Sequence, residues 1–174
     1  MILGIDIGNT TVEFGLIKSL DDIYSMKFST DLEKTSDDWI LNIDFFVRYF
    51  FIEKEHVKHI LISSVVPTID ITIRIALLKY FDKNPLFIGK DLKVPIKINY
   101  DDPAQVGIDR LLNSYASLHI VKPPTLCIDF GTAITFDVVN KKGEYDGGLI
   151  FPGMETSLKC LFSKTAKLPK VSLE

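Results

Sequence analysis

A short pattern of residues occurs twice in this chain, at positions 5–14 and again at positions 128–136. Each copy is an apolar run that ends in Asp, continues with Gly and a nearby Thr, and then alternates between apolar and polar residues. Such an order predicts a strand, a tight turn and a second strand. Because the same hairpin occurs twice, we expect a duplicated domain with two related halves.

The turn of each predicted hairpin is suited to binding phosphate. Gly8 and Gly131 allow a ligand to approach the backbone without interference from a side chain. Turn amides and Thr hydroxyls can donate to phosphate oxygens, while Asp6 and Asp129 can hold a cation that offsets the phosphate charge. One such turn is weak support, because Asp-x-Gly turns are common in ordinary β proteins. Two copies in the same strand context favour a nucleotide cleft between facing hairpins.

Composition and charge exclude several classes of protein. A hydrophobic share of 47% against 25% charged residues is typical of a globular chain. The net charge of -3 and the lack of a dense Lys/Arg cluster give no reason to expect nucleic acid. No apolar stretch reaches membrane-spanning length, and residues 1–5 lack the basic start of a signal peptide. Because Cys127 and Cys160 have no metal or redox spacing, we expect a protein of the reducing cytoplasm, and the lack of a membrane-spanning stretch gives no reason to expect a membrane partner.

The first part of the chain predicts a complete α/β lobe with the order three strands, helix, strand, helix, strand. Thr35 and Ser36 are N-cap candidates for its first helix. This lobe, with the connector after it, is assigned to residues 1–105. The first helix is expected to face the core through an apolar stripe at helical spacing, formed by Trp39, Ile40, Ile43, Phe46, Val47 and Phe50.

The remaining residues, 106–174, repeat only part of this order. They predict a helix over 107–119, the hairpin at Asp129, a third strand over 144–150 and a helix after Gly153. By analogy with the first lobe, a strand, a helix and a further strand are missing. We therefore expect the second lobe to be incomplete at its C-terminus.

A carboxylate and a guanidinium occur together at the predicted start of the helix over 107–119. Asp109 in a first helical turn is favourable for the helix dipole by about 0.3–1 kcal/mol. The same carboxylate is also suited to act as a general base. The residues alone leave both roles open for Asp109, while the planar fork of Arg110 is suited to binding a carboxylate bidentately.

A pair of glycines and a single tyrosine are two further features of interest. Gly147 and Gly148 lie in a predicted strand, where they allow close approach of a ligand or of another backbone, although a plain bulge would also account for them. Tyr100 lies in a turn-rich connector, where it can either cover a pocket or simply pack against its neighbours. The residue types alone do not decide between these alternatives.

Taken in order, these motifs resemble those of the type III pantothenate kinases, and the resemblance covers the whole chain. It implies an α/β fold of the acetate and sugar kinase, Hsp70 and actin superfamily, with two ribonuclease-H-like lobes around a nucleotide cleft, the second lobe being truncated here. It also implies a dimer in the bacterial cytoplasm. The resemblance rests on Asp6-Ile7-Gly8-Asn9-Thr10, Tyr100…Pro103…Gly107-Ile108-Asp109-Arg110, Asp129-Phe130-Gly131-Thr132-Ala133, Gly147-Gly148…Pro152-Gly153 and the tail at 165–169.

The resemblance implies the chemistry and the roles of residues. Family members transfer the γ-phosphate of ATP to pantothenate, which gives 4'-phosphopantothenate in the first step of coenzyme A biosynthesis, with Mg²⁺ and a monovalent cation (K⁺ or NH₄⁺). Asp129 matches the ligand of the monovalent cation, Asp6 is a candidate ligand of magnesium, and Asp109 matches the general base. The segment that resembles the pantothenate site contains Tyr100, Gly107, Ile108, Asp109 and Arg110, and the ATP contacts match Asp6, Ile7, Gly8, Asn9, Thr10, Thr11, Val12, Glu13 and Thr132.

Two alternatives to a pantothenate kinase remain, one of which is not an enzyme and one of which acts on a different substrate. Family members continue well past the last residue of this chain and supply a substrate-contacting threonine at the dimer interface. A non-catalytic, ATP-binding regulatory relative similar to the Bvg accessory factors is therefore one alternative, and a superfamily kinase for another small alcohol is the second. The retained Asp6, Asp109, Arg110 and Asp129 favour the enzyme, and the resemblance over residues 100–110 argues against a different alcohol.

Overall fold

A computed structural model describes residues 1–19, 21–165, 169 and 171. Within this part of the chain, two compact units occur, residues 1–93 and residues 94–174. Residues 166–168 of the tail motif lie outside the described residues. No helix in the described ranges combines the length and apolar character that a bilayer crossing requires.

The first unit follows the predicted order of three strands, helix, strand, helix and strand, which is confirmed. Its elements are β1 (Ile2–Ile7), β2 (Thr11–Ser19), β3 (Asp22–Ser29), α1 (Ser36–Tyr49), β4 (His59–Ser64), α2 (Pro67–Phe81) and β5 (Leu86–Phe87). The strands form one five-stranded mixed sheet with the order β3-β2-β1-β4-β5. Strands β1, β2 and β3 are antiparallel, whereas β4 and β5 continue parallel to β1.

Local sequence explains how α1 forms and which side it buries. Thr35 is its N-cap, and it forms a reciprocal capping box with Asp38. The predicted stripe faces the core, since Trp39 and Phe46 are fully buried and Ile40 and Phe50 pack against the same cluster. These contacts join α1 to the alternating apolar side chains of the sheet.

The second unit follows the predicted succession of helix, hairpin, third strand and helix, which is confirmed. The elements are α3 (Ile108–Ile120), β6 (Thr125–Phe130), β7 (Ala133–Val139), β8 (Tyr145–Pro152) and α4 (Met154–Lys164). The strands form a three-stranded antiparallel sheet with the order β6-β7-β8. The small buried cluster of this unit consists of Ile96, Leu111, Val139 and Tyr145.

The division between the units differs from the sequence-based boundary after residue 105. The connector from Val94 onward belongs to the second unit, because Val94 and Ile98 pack against the Ile96 cluster. The backbone of Tyr145 also accepts a hydrogen bond from Asn99 N at 2.7 Å and donates one to Lys97 O at 2.8 Å. The connector is thus an edge segment beside β8 rather than an extension of the first lobe.

The two copies of the hairpin carry the same apolar pattern but differ in burial. In the first unit, every second side chain of β1 is buried in the core cluster together with side chains of α1 and α2, and Leu3 is 1% exposed. The equivalent position in β6, counted from the shared Asp, is Leu126, which is 55% exposed. Within the described residues, the apolar face of the second sheet is therefore open.

Candidate active site

The turn of the first hairpin is closed by its own backbone and by the end of β3. Gly8 N donates to Thr11 O at 2.9 Å, and Thr30 Oγ1 donates to Gly8 O at 2.6 Å. Thr30 N also donates to Thr10 O at 2.9 Å. A Cβ on Gly8 would lie 3.2 Å from Thr11 O, so the turn leaves little room for a side chain. Sequence reasoning missed Thr30, because its partners Gly8 and Thr10 lie 22 and 20 positions away along the chain.

Residues of the first hairpin fall into an exposed set and a buried set. Ile7 and Val12 are fully buried, so only their backbone groups can reach a ligand. Asp6, the second-last residue of β1, is exposed and lies opposite Glu13 in the antiparallel register, and Glu13 contacts Lys27 at 3.4 Å. Four predicted phosphate contacts of this hairpin remain. Gly8 is partly exposed, and Asn9, Thr10 and Thr11 are exposed.

The second hairpin is supported by the start of α4. Gly131 N donates to Ala133 O at 2.9 Å, which closes its turn. Thr132 O accepts hydrogen bonds from Gly153 N at 2.9 Å and from Thr156 Oγ1 at 3.0 Å. A Cβ on Gly153 would collide with the carbonyl oxygens of the turn. Close packing against the hairpin therefore explains Gly153.

Asp6 and Asp129 are exposed carboxylates near the ends of their strands. In the described ranges, no group of three or more His, Cys, Asp or Glu side chains could hold a metal ion by itself. Mg²⁺ is commonly held by one or two carboxylates together with substrate phosphates and water. Each of these carboxylates, taken by itself, therefore offers oxygen ligands of the kind that suit a cation arriving with a nucleotide.

The segment over residues 107–110 begins α3 and holds Asp109 in its first turn. Gly107 is the N-cap of this helix, and Leu111 N donates to Gly107 O at 3.2 Å. Oδ1 of Asp109 accepts a hydrogen bond from Arg110 N at 2.9 Å. A Cβ on Gly107 would lie 2.5 Å from that same oxygen, so the glycine leaves space for the carboxylate. Asp109 is half-buried, as is Ile108 before it.

Arg110 forms a buried ion pair with a residue that sequence reasoning missed. Its Nε donates to Oδ1 of Asp137 at 2.7 Å, and its Nη2 lies 2.6 Å from the same oxygen. The N–H bonds of Nη2 do not point at that oxygen, so this second contact is an ion contact without an aligned hydrogen bond. Tyr145 donates its phenolic hydrogen to Oδ1 of Asp137 at 2.8 Å. The side chain of Asp137 is 1% exposed.

Burial of Tyr145, followed by its hydrogen bond to Asp137, raises the pKa of the Tyr145 phenol well above its ordinary value. The phenol therefore remains a hydrogen-bond donor at physiological pH. One feature of the sequence could have revealed this cluster: in the alternation of β7, Asp137 occupies the same side as the buried Val139. A carboxylate at such a position requires a partner.

The glycines of β8 accommodate Tyr100 and Arg110. A register shift between β7 and β8 forms a bulge, and Gly147 adopts φ 98° there. The ring of Tyr100 lies over this glycine, because a Cβ on Gly147 would be 3.0 Å from Cδ2 of Tyr100. A Cβ on Gly148 would collide with Phe136 O and lie 2.8 Å from Nη2 of Arg110. Both interpretations of the glycines therefore hold: a bulge and a close approach.

The second unit thus contains the whole segment that resembles a pantothenate site, together with Asp129 and Thr132. Tyr100 packs its ring on Gly147, as one of the two alternatives considered for it predicts, while 46% of the residue stays exposed. The first unit contains the other predicted contacts, from Asp6 to Glu13.

Comparisons with known proteins agree on one family. The family model described as type III pantothenate kinase matches residues 2–174. Type III pantothenate kinases from Sulfurihydrogenibium sp. and Persephonella marina are 59% and 56% identical to the whole chain, which covers 69% and 68% of their lengths. The enzyme of that name from Finegoldia magna is 41% identical, and the chain covers 66% of it.

Two solved structures of more distant proteins are also similar to this chain. The ethanolamine utilization protein EutJ from Carboxydothermus hydrogenoformans has a TM-score of 0.48 at 10% identity, over 92% of this chain and 55% of that protein. A Ppx/GppA family member from Aquifex aeolicus has a TM-score of 0.47 at 14% identity, over 94% of this chain and 55% of that protein.

Proposed function

This chain belongs to the type III pantothenate kinase family, and we propose that it transfers the γ-phosphate of ATP to pantothenate. The product is 4'-phosphopantothenate, formed in the first step of coenzyme A biosynthesis. The observation that carries the proposal is the arrangement of the second unit, where Asp109 and Arg110 begin α3, Arg110 lies against Gly148, and the ring of Tyr100 lies against the neighbouring Gly147.

Asp109 is proposed as the general base. Phosphoryl transfer to an alcohol requires alignment, neutralisation of charge and acceptance of the hydroxyl proton. Asp109 has the required carboxylate, and only one of its oxygens accepts the hydrogen bond from Arg110 N. The other oxygen is available for a substrate hydroxyl. General-base assistance of this kind typically contributes ~10²–10⁴ to a rate.

Arg110 and Tyr100 are proposed to bind the rest of pantothenate. Because guanidinium groups bind carboxylates through charge-assisted hydrogen bonds, Arg110 is suited to the carboxylate of this substrate. Its Nη1 amino group is not used by Asp137, which contacts Nε and Nη2. Tyr100 contributes an exposed aromatic surface from the connector.

Both hairpins are proposed to contribute to ATP binding. The amides and hydroxyls of the first turn, at Gly8, Asn9 and Thr10, and Thr132 of the second turn are suited to phosphate oxygens. Asp6 is the proposed ligand for Mg²⁺, and Asp129 is the proposed ligand for K⁺ or NH₄⁺. When bound, these cations supply positive charge that offsets the phosphates.

We propose that the protein acts as a homodimer in the cytoplasm, as its resemblance to the family implies. Each of the three relatives named above has a kinase name, which favours the enzyme over a regulatory module.

The test is formation of 4'-phosphopantothenate by the purified 174-residue chain. The chain is incubated with ATP, Mg²⁺ and pantothenate, in K⁺ and separately in Na⁺, and the product is identified by mass spectrometry while ADP release is followed. We expect pantothenate-dependent ADP release that is faster in K⁺. A folded chain that binds ATP and releases no ADP with pantothenate, or that phosphorylates another small alcohol faster, would contradict the proposal.

A further inference from the structure

Asp137 brings together two groups of the second unit, the guanidinium of Arg110 on α3 and the phenol of Tyr145 on β8. One of its oxygens, Oδ1, accepts from Arg110 Nε and from the Tyr145 hydroxyl and also contacts Arg110 Nη2. Removing a carboxylate this completely from water is costly, and good geometry with its partners is needed to offset the cost. The cluster therefore holds the guanidinium of Arg110 in one orientation.

We propose that Asp137, supported by Tyr145, is a positioning residue that presents Arg110 to the carboxylate of pantothenate. This inference rests on the proposed function. Asp137 fixes the Nε and Nη2 edge of the guanidinium, which leaves Nη1 to the substrate. A pre-oriented guanidinium loses less side-chain freedom on binding than a mobile one, so the carboxylate is bound more tightly and more selectively.

Tyr145 also connects this cluster to the other side of the candidate substrate site. Its backbone forms two hydrogen bonds with the connector at Lys97 O and Asn99 N, immediately before Tyr100. Its side chain holds Asp137, and through it Arg110. The positions of Tyr100 and Arg110 therefore both depend on Tyr145.

A similar cluster in the first unit provides a matched control. Asp44 on α1 accepts a hydrogen bond from the Tyr80 hydroxyl at 2.8 Å and contacts Arg48 Nε at 2.7 Å. The same three residue types thus occur where no substrate contact is proposed, and the side chain of Arg48 is 79% exposed. What distinguishes Asp137 is that its arginine belongs to the segment over residues 107–110. Asp44→Asn removes a carboxylate that has the same two kinds of partner without touching that segment, although the side chain of Asp44 is 32% exposed and that of Asp137 is 1% exposed.

The test compares pantothenate with its uncharged analogue, in which a hydroxymethyl group replaces the carboxylate. The measured quantity is the ratio of kcat/KM for pantothenate to kcat/KM for the analogue. A residue that acts through Arg110 on the carboxylate should change this ratio, whereas general damage to the fold should lower both values alike. We expect the ratio to fall at least tenfold in Asp137→Asn, with the KM for ATP unchanged, and to stay at the wild-type value in Asp44→Asn.

An unchanged ratio in folded Asp137→Asn would overturn the inference. If this variant does not fold, Tyr145→Phe decides, because it removes one hydrogen bond from Asp137 and keeps the ion pair. A fall of a few-fold is expected there, and an unchanged ratio would again overturn the inference.

Failure of the proposed function can be distinguished from failure of this inference. A wild-type chain that phosphorylates neither compound would contradict the kinase function alone. In that case the wild type and Asp137→Asn are compared by the ratio of the Kd for the analogue to the Kd for pantothenate, each measured by calorimetry. Equal wild-type Kd values, no binding of either compound, or a Kd ratio that Asp137→Asn leaves unchanged would contradict the positioning role of Asp137.

Discussion

Asn113 donates a hydrogen bond from Nδ2 to Oδ2 of Asp129 at 3.1 Å. Asn113 lies one helical turn after Asp109, on the same side of α3. The helix that carries the proposed base is therefore linked by a side chain to the carboxylate of the second hairpin. A second contact in this region, from Cys127 Sγ to Asn113 O at 3.7 Å, runs between the same two elements.

This link predicts an effect of Asn113→Ala on the response to potassium. If Asp129 holds the monovalent cation, loss of the Asn113 hydrogen bond leaves its carboxylate less well oriented. We expect the potassium concentration for half-maximal activity to rise several-fold, while kcat at saturating potassium changes little. Asn84→Ala, an exposed asparagine of the first unit, is the control. An unchanged potassium response in Asn113→Ala would separate Asn113 from the cation site.

Gly148→Ala should destabilise the second unit. The added methyl group would collide with Phe136 O, a backbone atom that cannot move without disturbing the pairing of β7 and β8. Overpacking of this kind costs about 1–3 kcal/mol. The free energy of unfolding is measured in urea. Gly15→Ala is the control, because a Cβ there would meet only Gly4 O at an ordinary 3.9 Å and should change stability by less than about 1 kcal/mol.

Tyr145 and Tyr80 should ionise late in an alkaline titration. Burial, followed by the hydrogen bond to an aspartate, raises the pKa of each phenol. A pKa that is higher in the folded state than the unfolded value of about 10 stabilises the fold below that value, and this contribution is lost as the pH rises through the folded pKa. The measurement is tyrosinate absorbance against pH.

Of the six tyrosines, these two are expected to ionise only as the chain unfolds in alkali. Tyr80→Phe and Tyr145→Phe should each remove one late-ionising group. If Tyr145→Phe keeps as many late-ionising tyrosines as the wild type, the phenol of Tyr145 is not held by Asp137.

Equivalent leucines of the two hairpins should differ in their contribution to stability. Leu3 is 1% exposed and Leu126 is 55% exposed, although both occupy the same place before the repeated Asp. Leu3→Ala is expected to lower the free energy of unfolding by about 2–5 kcal/mol, since it leaves a cavity. Leu126→Ala is expected to cost less than about 1 kcal/mol in the 174-residue chain. Equal losses, measured by urea unfolding, would show that Leu126 is covered in solution.

Local patterns predict most of the secondary structure. The alternation around Asp6 and Asp129 predicts both hairpins, and the capping residue Thr35 with the apolar stripe behind it predicts α1 and its buried side. These features depend on residues a few positions apart, so a sequence displays them directly.

Contacts between distant residues could not be predicted in this way. Arg110 pairs with Asp137 across 27 positions, and Thr30 reaches Gly8 across 22. Such pairs depend on how the strands are placed next to each other. The boundary between the units differs for the same reason, because the apolar side chains after Val94 could pack with either unit until the partner at Tyr145 is known.

The role of Asp109 gives the most direct test of the proposed kinase function. The rate of 4'-phosphopantothenate formation is compared in the wild type, Asp109→Asn and Asp37→Asn. Asp37 also lies in the first turn of a helix, so its variant reproduces the loss of a charge at a helix N-terminus. We expect kcat to fall by ~10²–10⁴ in Asp109→Asn and to stay near the wild-type value in Asp37→Asn. Near-full turnover in folded Asp109→Asn would contradict the account.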